Sequence, residues 1–163
     1  MTKDEFNKLY KKTEGRLFNY RKILDDLEMI DLEIAQTENE YIGCMGISYD
    51  SEKTGITYNV SKSVEQEVIR KEERINYLKY TKIKLEIEKR KIEISINNFT
   101  IQQKELFEIL YFSKRARVSR NEILRKMHIS KSTYYELKNS LVISALNSLY
   151  PTILRDEIYK KFA

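Results

Sequence analysis

One cysteine in 163 residues, Cys44, leaves no partner for an internal disulfide and no second thiol for a cysteine-based metal site within one chain. No basic neighbour stands beside it to lower its pKa, so a reactive thiol is not expected. There is one histidine, His128, and the chain has neither a glycine-rich phosphate loop nor a cluster at metal-ligand spacing. The nearest approaches to paired carboxylates, Asp25 with Asp26 and Asp50 with Glu52, fall in a charged helical stretch and in a loop, where solvation explains them. An enzyme is therefore not expected, and no cofactor, metal or small-molecule ligand is called for. No apolar run approaches the roughly 20 residues of a membrane span, and MTKDEFNKLYKK lacks the apolar core of a signal peptide, so a soluble, cytoplasmic protein with no membrane partner is expected. The lack of tryptophan excludes nothing.

A single proline and four glycines, set against 34% charged residues, suit long helices. Gly43, Gly46 and Gly55 share one interval and mark the main break; Gly15 is a place for a kink or interruption in the first helix. Apolar residues recur at Leu17, Tyr20, Leu24, Leu27, Ile30, Ile34 and Tyr41, the steps of an amphipathic helix. A longer pattern runs through Val64, Val68, Ile75, Leu78, Leu85, Ile92 and Ile96, opened by Ser61 or Ser63 as a cap. Two such stripes around one loop predict an antiparallel helical hairpin, a coiled-coil arm. Lys71, Lys82 and Lys89 interrupt the second seam, and Ile69, Ile83, Ile87 and Ile94 lie off it. That surplus apolar surface could be covered by the first helix, by the C-terminal part or by a second copy, and a homodimer is favoured. Between the arms, Ile47 with Tyr49 and Ile56 with Tyr58 and Val60 have the period of a small hairpin.

Thr100 and Gln103 make a capping box ahead of a helix over 101–112, with Leu106, Ile109 and Leu110 as its apolar face. Then comes SRNEILRKMHISKSTYYELKNSL, Ser119 to Leu141. Ser119 with Glu122 opens one helix, Arg120 to Met127, and Ser130 caps a second that continues through Leu141, Ala145 and Leu149. Ile123, Met127, Ile129, Tyr134 and Leu137 fall where two helices crossing around a tight turn face inward. Lys131, Ser132, Tyr135, Glu136 and Asn139 fall outward, polar and able to bond to base edges in a major groove. The turn carries His128 where glycine is usual, so that histidine has to take a left-handed or bridge conformation. Pro151 marks a boundary, and 153–162 forms a last short amphipathic pattern.

Charge is uneven. Residues 100–163 hold twelve Lys and Arg against six Asp and Glu, a net of +6, which leaves −1 for residues 1–99 out of the overall +5. A basic module on a neutral body points to phosphate. Arg115, Arg117, Arg120, Ser130, Thr133 and Lys138 are the candidates for phosphate contact, positioning the helix without reading sequence. The twelve tyrosines fall mostly on helix faces rather than on a strand surface made for base stacking, with Tyr134 assigned to the core.

The segment Glu105 to Leu146, together with the charged N-terminal helix, the glycine-containing loop and the opening of the long second helix at Ser61, Ser63 and Glu65, resembles the RinA/ArpU-type regulators of late transcription in phages and prophages of low-GC Gram-positive bacteria. Met127-His128 departs from their usual leucine-glycine. The resemblance implies a sigma-region-4-like helix-turn-helix, binding to double-stranded DNA near a promoter, and activation of packaging, structural or lysis genes through contact with RNA polymerase in the host cytoplasm. The expected architecture is thus all-α: a hairpin arm over 1–97 with its loop at 43–60, then a DNA-binding module over 98–163. A DNA-packaging protein like a small terminase subunit, or a helical protein-interaction adaptor, are the alternatives.

Overall fold

The computed structural model describes residues 2–40, 59–113 and 118–152, and these are all-α, with no strand among them. Five helices follow in order: α1 (Lys3–Asn39), α2 (Asn59–Asn97), α3 (Ile101–Phe107, continued by a π-helical turn Glu108–Phe112), α4 (Arg120–Met127) and α5 (Lys131–Leu149). No helix among the described residues is long and apolar enough to cross a membrane.

α1 starts fourteen residues before the apolar stripe that announces it. The cause is a capping box at the very start: the Thr2 amide donates to Glu5 Oε2 at 2.7 Å and the Glu5 amide donates to Thr2 Oγ1 at 3.2 Å. Gly15 does not interrupt the helix, which runs through it unbroken; a Cβ built there would meet nothing within 4 Å. α2 begins at Asn59, so Ser61 and Ser63 lie inside it instead of capping it, and Val60 is helical rather than part of a hairpin. The other hairpin positions, Cys44 and the 153–162 pattern lie outside the described residues.

The chain divides into two compact units, one formed by 1–25 with 86–163 and the other by 26–85. This differs from a boundary at 97/98, because the first turns of α1 and the last turns of α2 pack with the C-terminal helices. In the 26–85 unit, the two helical segments run antiparallel and are tied by charges. Lys82 Nζ sits 2.6 Å from Asp31 and Lys79 Nζ 3.7 Å from Glu38. Lys71 Nζ donates to the carbonyls of Glu38 and Glu40 at 2.8 and 2.9 Å, capping the open end of α1 where the helix dipole favours a cation. Of the lysines that broke the apolar seam, Lys71 and Lys82 are therefore cross-helix ties, whereas Lys89 lies 3.8 Å from Glu93 one turn on in its own helix. Leu78 and Thr37 are buried between the two segments, and Thr37 turns its hydroxyl back to the Glu33 carbonyl at 2.8 Å, so a polar residue stays satisfied where the helices meet.

In the other unit the core is Leu17, Ile23, Ile92, Phe99, Leu106, Phe107, Ile109, Tyr111, Ile123, Tyr134, Leu141, Val142, Ala145 and Leu146. Thr13 and Ser95 are buried there by the same device, bonding the carbonyls of Leu9 and Lys91. Arg16 forks onto Glu88 through Nε and Nη2 at 2.5 and 2.8 Å and lies 5.3 Å over the ring of Tyr150, so one guanidinium links α1, α2 and the end of α5. Aromatic rings fill the middle: Tyr111 meets Phe18 edge-on at 4.5 Å and Phe107 at 5.7 Å.

The open space at Gly15 predicts that Gly15→Ala, which lowers the entropy of the unfolded chain at an unstrained helical site, stabilises the protein by about 0.5–1 kcal/mol. Thermal unfolding followed by circular dichroism should show a raised Tm; a lowered Tm would mean that glycine is needed there for close packing.

Candidate functional site

α4 and α5 are held by local rules that the sequence spells out. The Ser119 hydroxyl accepts from the Glu122 amide at 3.3 Å and opens α4. At its other end the amides of His128 and Ile129 both donate to the Leu124 carbonyl, closing the helix in a Schellman-type reversal. That closure requires a left-handed residue, and His128 takes it, with φ 54° and ψ 39°. Two residues on, the Ser130 hydroxyl accepts from the Thr133 amide at 3.2 Å, and also lies 2.8 Å from both the Ser132 and Thr133 hydroxyls. Three residues thus separate two capped helices.

α5 is two-faced. Tyr134, Leu141, Val142, Ala145 and Leu146 are buried, with Leu137 half-buried; across the turn Ile123 is buried and Met127 and Ile129 half-buried. Gln103, whose side chain also completes the Thr100 capping box, donates from Nε2 to Ser140 Oγ at 2.8 Å and ties α3 to α5. Over residues 131–140 Tyr134, Leu137 and Lys138 share the covered side, and Lys131, Ser132, Tyr135, Glu136 and Asn139 are all exposed on the other, an open face that ends where Val142 and Leu146, in line with Tyr135 and Asn139, enter the core. Glu136 and Asn139 border a shallow groove walled by Asn98, Gln103 and Asn147, a surface of amides and hydroxyls that can both donate and accept.

The cationic candidates separate. Arg120 is exposed at the start of α4 and donates from Nη1 to the Tyr135 hydroxyl at 2.7 Å, bridging the first turns of both helices. Ser130 and Thr133 sit at the amino end of α5, where unpaired amides and the helix dipole favour an anion. Arg115 and Arg117 lie outside the described residues. Lys138 stands apart from the open face: its Nζ is 2.8 Å from Glu14 Oε1, with both side chains mostly covered. Burial works against its charge, but the Glu14 carboxylate more than offsets this and holds Lys138 above the usual lysine range. It is an internal tie between α5 and α1, not an available phosphate contact. Periodicity assigned it outward because its helical position lies near the edge of the buried face, and the partner comes from a residue 124 positions away in sequence. The Arg120–Tyr135 bridge was missed for the same reason, as no local spacing announces it. Arg125 and Lys126, exposed in the last turn of α4, add to the positive charge nearby.

Behind this face lies a phenolic cluster. Tyr111 is buried and its hydroxyl finds no hydrogen-bond partner among the described residues; burial first, then the charge of Glu14, push its pKa far above the ordinary value. Tyr10 is raised as well, by burial and then by Glu14. No protein-family model matches the chain, and no curated protein or solved structure matches it.

Two outcomes are expected. Because an L-residue with a side chain is strained at φ 54°, His128→Gly should stabilise by about 1 kcal/mol and His128→Val should destabilise by at least as much, measured by urea unfolding. The reverse order would mean that the imidazole makes a contact worth more than the strain. For Tyr111, a phenol whose folded pKa lies above its unfolded value of 10.0 contributes stability at neutral pH that is lost as pH rises past 10. Tyr111→Phe should be near-neutral at pH 7, since it removes an unpaired buried hydroxyl, and should flatten the loss of stability above pH 10. An unchanged alkaline slope in urea titrations would show that other groups govern it.

Proposed function

We propose that the chain is a sequence-specific DNA-binding transcription regulator that presents the amino-terminal half of α5 to the major groove. The observation that carries this reading is the division of the first ten residues of α5 into a covered side, with Tyr134, Leu137 and Lys138, and an open polar one, with Lys131, Ser132, Tyr135, Glu136 and Asn139. A helix that packs by one face and displays varied hydrogen-bonding side chains on the other has what direct readout needs. In this reading Asn139 pairs with adenine through its amide and Glu136 accepts from the exocyclic amine of cytosine. Arg120, Ser130 and Thr133, with Arg115 and Arg117 from the adjoining sequence, contact phosphate, while Lys138 acts from behind through Glu14.

The net +6 over residues 100–163 supports the same reading, because phosphate neutralisation supplies most of the affinity for duplex DNA. An adaptor using the α4–α5 pair only for packing would bury the outward face, and that face is open among the described residues. The setting we propose is the one the likeness to late regulators implies: a site near a promoter of phage or prophage late genes, with output through RNA polymerase.

Fluorescence anisotropy with a duplex from the region upstream of the coding sequence tests the proposal. Binding should weaken steeply with salt, and Arg120→Ala should lower the slope of log K against log salt by about one, whatever the duplex sequence. Asn139→Ala should instead cost roughly 10- to 100-fold on the preferred duplex and little on a scrambled one. If protein freed of nucleic acid shows no binding at low salt, or these substitutions change nothing, the function is not DNA recognition.

A further inference from the structure

α2 carries a second apolar stripe on the side turned away from its own core contacts. Leu78, Ile92 and Ser95 point inward and are buried, whereas Ile69, Tyr80, Ile83, Ile87 and Ile94 are each about half exposed, between 47% and 57%. Spaced 11, 3, 4 and 7 apart on a helix of 3.6 residues per turn, these five fall within a strip about 60° wide. Three polar residues, Glu73, Asn76 and Arg90, complete the heptad positions of that strip, and all three are exposed. Four isoleucines and a tyrosine in heptad register on an open face are the seam of a coiled coil with one strand absent.

The strip also says what the other strand is. We infer that α2 pairs with α2 of a second copy of this chain, antiparallel, about a two-fold axis passing between Thr81 and Lys82. In that register Ile69 faces Ile94 of the second copy, Tyr80 faces Ile83, and Asn76 faces Ile87. The two charged interruptions, Glu73 and Arg90, then fall opposite each other as a pair of opposite sign, and the two-fold makes that pair twice. A parallel dimer would set Glu73 against Glu73 and Arg90 against Arg90. Sliding the antiparallel pair by one heptad leaves both charges facing apolar or uncharged positions, so the charges select one orientation and one register. Within its own helix Arg90 reaches Glu93 at 3.4 Å, a long exposed contact that the new pair can replace. The strip runs over 26 residues, about 38 Å of helix, which is about seven turns of contact.

Sedimentation equilibrium of the full chain without DNA tests this, so that its result is independent of the DNA-binding reading. The wild type should be a dimer at micromolar concentration. Ile83→Glu with Ile87→Glu should give a monomer with unchanged helical circular dichroism. Glu73→Arg alone should weaken the dimer about tenfold or more, by setting like charges together, and adding Arg90→Glu should restore it to within about threefold of wild type. In a Cys44→Ser background, Ile69→Cys protein mixed with Ile94→Cys protein should form a mixed disulfide dimer in preference to either homodimer. A wild-type monomer, a dimer insensitive to the Ile83 and Ile87 changes, or preferential 69–69 cross-linking would each overturn the proposal; the first would mean that the strip serves a different protein or none.

Discussion

Everything about the open face of α5 depends on the closed one. Leu141, Val142, Ala145 and Leu146 are withdrawn from water, and at about 25 cal/mol per Å² of apolar surface their burial outweighs any preference the polar face could express. The seating of α5 is therefore set by hydrocarbon: its carboxyl-terminal half is held on several sides, and its amino-terminal half, anchored through Tyr134, leaves Lys131, Ser132, Tyr135, Glu136 and Asn139 facing out. Gln103 to Ser140 and Lys138 to Glu14 act as finer stops on the same seating, each joining α5 to a different helix.

His128 shows how a local rule and a tertiary demand meet. The carbonyl of Leu124 needs donors after the helix ends, and a left-handed residue delivers two amides to it within three residues. Glycine would do this without strain. Histidine does it because Ile123 and Tyr134 on either side of the turn are buried, and their packing holds the reversal in place. Charge has a comparable double use along the long helices. Lys71 and Lys82 look like interruptions of an apolar seam, yet each reaches a carbonyl or carboxylate of the neighbouring segment, as Lys79 does beside them, so the seam is closed at its margins by polar contacts of modest individual worth.

Much of this was legible beforehand. The Thr100–Gln103 box, the caps at Ser119 and Ser130, the bounds of α4 and the left-handed turn are consequences of short-range stereochemistry, and all four can be read from residues within four positions of one another. The Thr2–Glu5 box is equally local, but apolar periodicity is silent over a first turn rich in charged residues. The start of α2 differs for the opposite reason: Ser61 and Ser63 are residues that can cap a helix, but one that already runs from Asn59 carries them within it.

The sequence by itself determined that the chain is helical, where its short helices begin and end, and which residues of α5 share a face, since these depend on hydrogen bonds and side-chain spacing within a turn or two. Only the tertiary structure decided that the first 25 residues pack with the last 78, that Lys138 faces Glu14 instead of solvent, and that Arg120 holds Tyr135. Those pairings join residues far apart along the chain. Their energy appears only after the intervening chain has been closed into place, and no local spacing records which of many possible partners will then be near.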